Sequence, residues 1–171
     1  MTEGYRKGDY VRYSCNGVCL VDDIRMDSLS RKDPPKEFYI LKPVGNPSST
    51  IFVPTGSSTL VAKMARLPSR EELDELILST KDENLPWEDD RKLRLANFQT
   101  IIKACDLREL LRLVACIYQR KQTLLASGKK LGVSDEGILQ RAEDLVENQV
   151  SFVLQVSGDE VKNYIREKLQ A

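Results

Sequence analysis

The chain has 171 residues, 41% of them hydrophobic and 30% charged, a balance that supports a packed core and excludes a low-complexity or disordered polymer. Lys plus Arg and Asp plus Glu number 26 each, so the formal net charge is zero, which excludes a protein that coats nucleic acid by charge alone. A small local patch can still touch DNA if something else brings the protein there.

The elements change character once along the chain. Gly8-Asp9-Tyr10-Val11-Arg12-Tyr13-Ser14 is rich in β-branched and aromatic residues and predicts a strand. Asn16-Gly17 supplies a turn with positive φ, and Val18 to Ile24 is the expected return strand. Arg25 to Lys36, with Pro34 and Pro35, reads as a loop, Phe38 to Leu41 as a third strand and Thr50 to Val53 as a fourth, stopped by Pro54. A short fifth strand is expected at Thr59 to Lys63. Short strands this closely spaced predict a small barrel of the SH3 or Tudor type.

From Pro68 the apolar period becomes helical. Ser69 and Glu72 form a capping-box pattern ahead of Leu73, Leu76 and Ile77, and the polar run Lys81 to Pro86 ends that helix. A second helix is expected after Trp87, with Leu95, Phe98, Ile102 and Cys105 on one stripe. Asp106 with Glu109 caps a third, carrying Leu110, Leu111, Val114, Ile117, Leu124 and Leu125 and ending at Ser127-Gly128. Ser134 opens a fourth, ending at Gly158, and Asp159 a last short one through Val161, Tyr164, Ile165 and Leu169. The reading is therefore α+β: a β barrel over residues 1–66, then an all-α helical bundle over residues 67–171.

Several chemistries find no support. Histidine, the commonest general base, is absent. Gly128-Lys129-Lys130 lacks the upstream glycine of a phosphate loop. Glu88-Asp89-Asp90 could bind a metal, but acids at a helix start ordinarily complement its dipole. No enzyme, cofactor, metal or small-molecule substrate is expected. Cys15, Cys19, Cys105 and Cys116 lie in apolar segments and are expected to be reduced, buried thiols. No apolar run is long enough for a membrane span, and the first residues have no signal-peptide core, so a cytoplasmic protein is expected.

Gly8-Asp9-Tyr10-Val11-Arg12-Tyr13, followed by Asn16-Gly17-Val18, resembles the opening of the CarD/CdnL family of bacterial transcription regulators. Tyr39-Ile40-Leu41-Lys42-Pro43 and Ile51-Phe52-Val53-Pro54 resemble later strands of the same domain. Trp87-Glu88-Asp89-Asp90-Arg91 and Leu124 to Leu131 resemble the helical half of the form common in Firmicutes. The resemblance implies a Tudor-like domain that docks on the β subunit of RNA polymerase. It also implies helices against promoter DNA at the upstream edge of the bubble, with the tryptophan as a minor-groove wedge that prolongs the open complex. The protein would then gather at the nucleoid through polymerase. Where some members carry an arginine that meets the polymerase, this chain has Phe52, which implies a more apolar dock.

The residues carry their own reading. An exposed strand edge at Ile51, Phe52, Val53 and Pro54 could pair with a strand of another protein, or alternate side chains there could simply face the barrel core. Trp87, the only tryptophan, could staple the helix start to Phe98. Alternatively it could act outward, because Arg91, Lys92 and Arg94 follow at the spacing of phosphate contacts and an apolar wedge beside cations is the chemistry of base unstacking. The resemblance favours the wedge. Arg112, Arg120, Lys121, Lys129 and Lys130 are read as a solvated face that could add phosphate contacts. The contrasting function is a plain adaptor, its barrel and helices each binding a protein, with no DNA.

Overall fold

A computed structural model describes residues 4–81, 83 and 85–170, apart from the side chains of Cys15, Arg166, Leu169 and Gln170. The expectations for Cys15 and Leu169 therefore lie outside the described residues. The chain divides into two compact units between Leu67 and Pro68.

The first unit is a five-stranded antiparallel sheet in the order β4-β3-β2-β1-β5, with β1 at Tyr10–Tyr13, β2 at Val18–Asp27, β3 at Lys36–Pro43, β4 at Ile51–Pro54 and β5 at Met64–Arg66. Ser14–Asn16 form one 3-10 turn, and Gly17 leaves it at φ 75°, where a side chain would be strained. Tyr13 N–H donates to Gly17 C=O at 3.0 Å and closes the hairpin. One face buries Val11, Tyr13, Cys19, Val21, Tyr39, Leu41, Val53 and Met64. The register slips between Val21 and Asp23, and this bulge returns Ile24 to the core side opposite Tyr39. Without it the alternation would aim Ile24 at the other face.

Two expectations are corrected here. The barrel is open: among the described residues β4 and β5 end the sheet and do not pair with each other. The expected fifth strand at 59–63 is instead a helical turn, α1 (Ser58–Val61). The Ser57 side chain accepts from Leu60 N–H at 3.3 Å and caps it, so local hydrogen bonding overrides the β preference of Thr59 and Val61. The fifth strand follows it, pairing Met64 with Tyr13 and Arg66 with Val11.

The second unit holds α2 (Arg70–Lys81), α3 (Arg91–Ala104), α4 (Leu107–Ala126), α5 (Val133–Leu154) and α6 (Gly158–Gln170). Caps set several starts: Glu72 N–H donates to Ser69 Oγ at 3.1 Å, and Glu109 N–H to Asp106 Oδ2 at 3.2 Å. The long helices α4 and α5 pack together, α3 rests on both, and α2 and α6 pack against each other. Leu73, Ile77, Phe98, Ile102, Leu110, Leu113, Ile117, Ala142, Val146 and Val150 fill the interior. The helix expected to start at Ser134 begins one residue earlier and stops at Leu154, where Gln155 adopts φ 55°, while Gly158 opens the final helix. Leu125, assigned to the apolar stripe, is 50% exposed.

Cys19 and Cys116 are free and buried. Cys105 is buried in the helical unit. Among the described residues no helix is long and apolar enough to cross a membrane.

Candidate nucleic-acid interface and strand edge

Trp87 precedes α3, in the segment between Leu85 and Asp90. Asp90 ends that segment as the helix cap, its Oδ1 accepting from Leu93 N–H at 3.0 Å. The indole is half-buried. Its ring meets Phe98 edge-on at 6.1 Å, the Arg94 guanidinium lies over it at 4.4 Å and that of Arg120 at 5.3 Å. Thus the staple and the outward reading each describe part of the arrangement: one portion of the ring rests on the core and another borders a cleft.

That cleft encloses about 570 Å³ and is lined by Trp87, Arg91, Arg120, Leu124 and Val133 among others. Val133, at the first turn of α5, is 92% exposed at its rim. Arg91 Nη2 donates to Ser134 Oγ at 2.9 Å, so this cation is held at the cleft beside the start of α5. Lys92 is exposed on the same first turn of α3. Lys129 and Lys130 are exposed between α4 and α5.

Arg94 stands apart from the group in which the sequence placed it. It is 7% exposed, and its Nε and Nη2 donate to the two Asp135 carboxylate oxygens at 3.0 and 2.9 Å. Nη1 donates to Glu88 C=O at 2.9 Å. A guanidinium whose donors are satisfied on three sides by a carboxylate and the backbone is a strut inside the protein, and the exposed cations at this place are Arg91 and Lys92. Asp135 gave no signal in the sequence, because its partner lies 41 residues away. Farther back, Glu83 pairs with Arg108 and with Arg112 of α4, so the tryptophan-bearing segment is anchored on both sides.

The acids do not assemble a metal site. Glu88 Oε1 accepts from Asp90 N–H and Asp90 caps α3, and among the described residues no group of three or more His, Cys, Asp or Glu is placed to hold a metal ion.

In the sheet unit, β4 is an edge strand. Thr55 N–H donates to Glu37 C=O at 3.0 Å just past it, and Val53 stands opposite Tyr39. Hydrogen-bonded pairs alternate in an antiparallel ladder, so Ile51 and Val53 bond inward to β3 while the N–H and C=O of Phe52 face the open edge. Val53 is buried in the core and Ile51 packs against it. The half-buried Phe52 ring lies on the opposite face, edge-on to Phe38 at 5.9 Å, and Pro54 is half-buried at the strand end. Of the four residues, Phe52 thus carries both an available backbone and a ring outside the main core.

Residues 5–65 match the CarD-like/TRCF RID domain family, whose members interact with the β subunit of RNA polymerase. The matched span covers nearly all of the sheet unit and stops before the second unit begins at Pro68. No curated protein matches the chain.

Proposed function

We propose that this chain is a bacterial transcription regulator of the CarD type, in the form common in Firmicutes, that docks on the RNA polymerase β subunit and stabilises the open promoter complex. The observation that carries it is the match of the sheet unit to a polymerase-interacting domain. The open edge of β4 supports strand addition, in which main-chain hydrogen bonds from Phe52 give affinity and its ring gives choice. In this reading the helical unit contacts promoter DNA at the upstream fork of the bubble through Trp87, Arg91 and Lys92. A half-buried indole bordering a cleft beside exposed cations supports that role. The protein works without catalysis or cofactor, in the cytoplasm, on the nucleoid that polymerase occupies.

A second reading, the adaptor without DNA, draws on the packing of Trp87 against Phe98 and Arg94. The two divide on the following tests. Full-length wild type should capture RNA polymerase, and Phe52→Glu should weaken capture at least about tenfold, because a carboxylate would have to be desolvated at the paired edge. Equal capture by both proteins contradicts docking at β4. A DNA-binding helical unit also requires the wild type to bind a forked promoter duplex at low salt, which a plain adaptor does not.

A further inference from the structure

Arg120 differs from the other arginines around the tryptophan cleft. Arg94 is paired with Asp135, and Arg91 donates to Ser134. In the cluster behind the tryptophan segment, Arg108 pairs with Glu83 and Arg112 with Glu83 and Glu109. Beside Arg120 on α4, Lys121 pairs with Glu136. The Nε of Arg120, like that of Arg112, is buried without a hydrogen-bond acceptor, but unlike Arg112, Arg120 has no carboxylate partner among the described residues within ion-pair reach. Its guanidinium carbon lies 5.3 Å from the centre of the indole ring, in the wall of the cleft.

A guanidinium resting on a ring with a buried N–H unsatisfied is in a costly position, because a desolvated donor normally finds an acceptor. It has strong reason to move once an anionic oxygen arrives. Arginine binds phosphate through paired N–H donors, and this charge-assisted geometry is stronger than a contact with an aromatic face. Departure of Arg120 would remove a cover from the indole at the moment a phosphate is bound.

We infer that Arg120 is a phosphate-binding residue of the helical unit that lies over Trp87 in the free protein and uncovers it on meeting the DNA backbone. This rests on the DNA-contacting reading of that unit. One side chain then couples the two halves of the contact: the ring becomes available where a phosphate already lies in reach. A chain of formal net charge zero gains from such an arrangement, since its apolar ring stays shielded away from DNA.

The test uses full-length protein and its single tryptophan as reporter. Arg120→Met keeps an apolar stem over the core and removes the guanidinium, and Arg120→Gln serves the same purpose if the methionine variant does not fold. In the free protein, acrylamide quenching of Trp87 should increase in the variant. On a labelled forked promoter duplex, the slope of log affinity against log salt should fall by about one in magnitude relative to wild type, the signature of one lost phosphate contact. Unchanged quenching overturns the covering role, and an unchanged slope overturns the phosphate contact. If wild type captures polymerase but binds no forked DNA, the DNA reading itself fails and takes the phosphate contact with it, a result distinct from a variant that binds with an unaltered slope.

Discussion

Arg94 and Asp135 form a bidentate pair with side chains 9% and 7% exposed, so each charge depends on the other for its solvation. Arg94→Ala would strand a buried carboxylate and remove the guanidinium stacked on Trp87. It should cost about 3–5 kcal/mol in urea unfolding. Arg94→Met combined with Asp135→Leu should cost much less, because neither charge is left unpaired. A single variant as stable as the double one would contradict the strut. The buried thiols set an alkaline limit. Burial pushes the Cys19 thiol from its ordinary 9.0 up to about 11, and burial, with Asp135 adding to it, raises Cys116 as well. Between pH 9 and 11 the unfolded chain releases the Cys19 proton that the folded chain retains. The stability from this group is therefore complete below pH 9 and is lost as pH rises toward 11. The urea midpoint should fall across that window in wild type and fall less in Cys19→Ala; equal falls would contradict the assignment.

At the scale of elements, α3 depends on a single cap. Asp90→Ala removes the acceptor for Leu93 N–H and should cost about 1 kcal/mol, with a red shift of Trp87 emission as the preceding segment loosens. Asp90→Asn should restore most of both, and a variant indistinguishable from wild type would show that the segment is fixed by Glu83 and Arg94 alone. The elements also show what local sequence can carry. The hairpin at Asn16-Gly17 was legible because positive φ selects glycine, and the caps at Ser69 and Asp106 because side-chain acceptors serve amides three residues ahead. The turn at Ser58–Val61 is hidden in the sequence, since the β-branched Thr59 and Val61 outweigh one serine cap in the pattern. Barrel closure was misjudged because it depends on which distant strands meet, and β5 reaches β1 without reaching β4. In the candidate interface Trp87, Arg91 and Lys92 were visible as a cluster, but the inward turn of Arg94 was not, because the carboxylate that draws it sits on another helix.

For the whole molecule, equal numbers of acidic and basic residues leave no net electrostatic attraction to DNA. A sheet unit anchored to polymerase would offset that by raising the local concentration of the helical unit at the promoter. A fork, where bases are already separating, asks least of an indole that must part a base step. Trp87 is therefore proposed to act on the open complex after polymerase docking. The direct measurement is the half-life of a promoter open complex, after competitor challenge, with wild type and with Trp87→Ala at concentrations where both saturate polymerase. Wild type should lengthen the half-life, and Trp87→Ala should return it to the value for polymerase alone while still occupying the enzyme. Equal half-lives with the two proteins bound would contradict it.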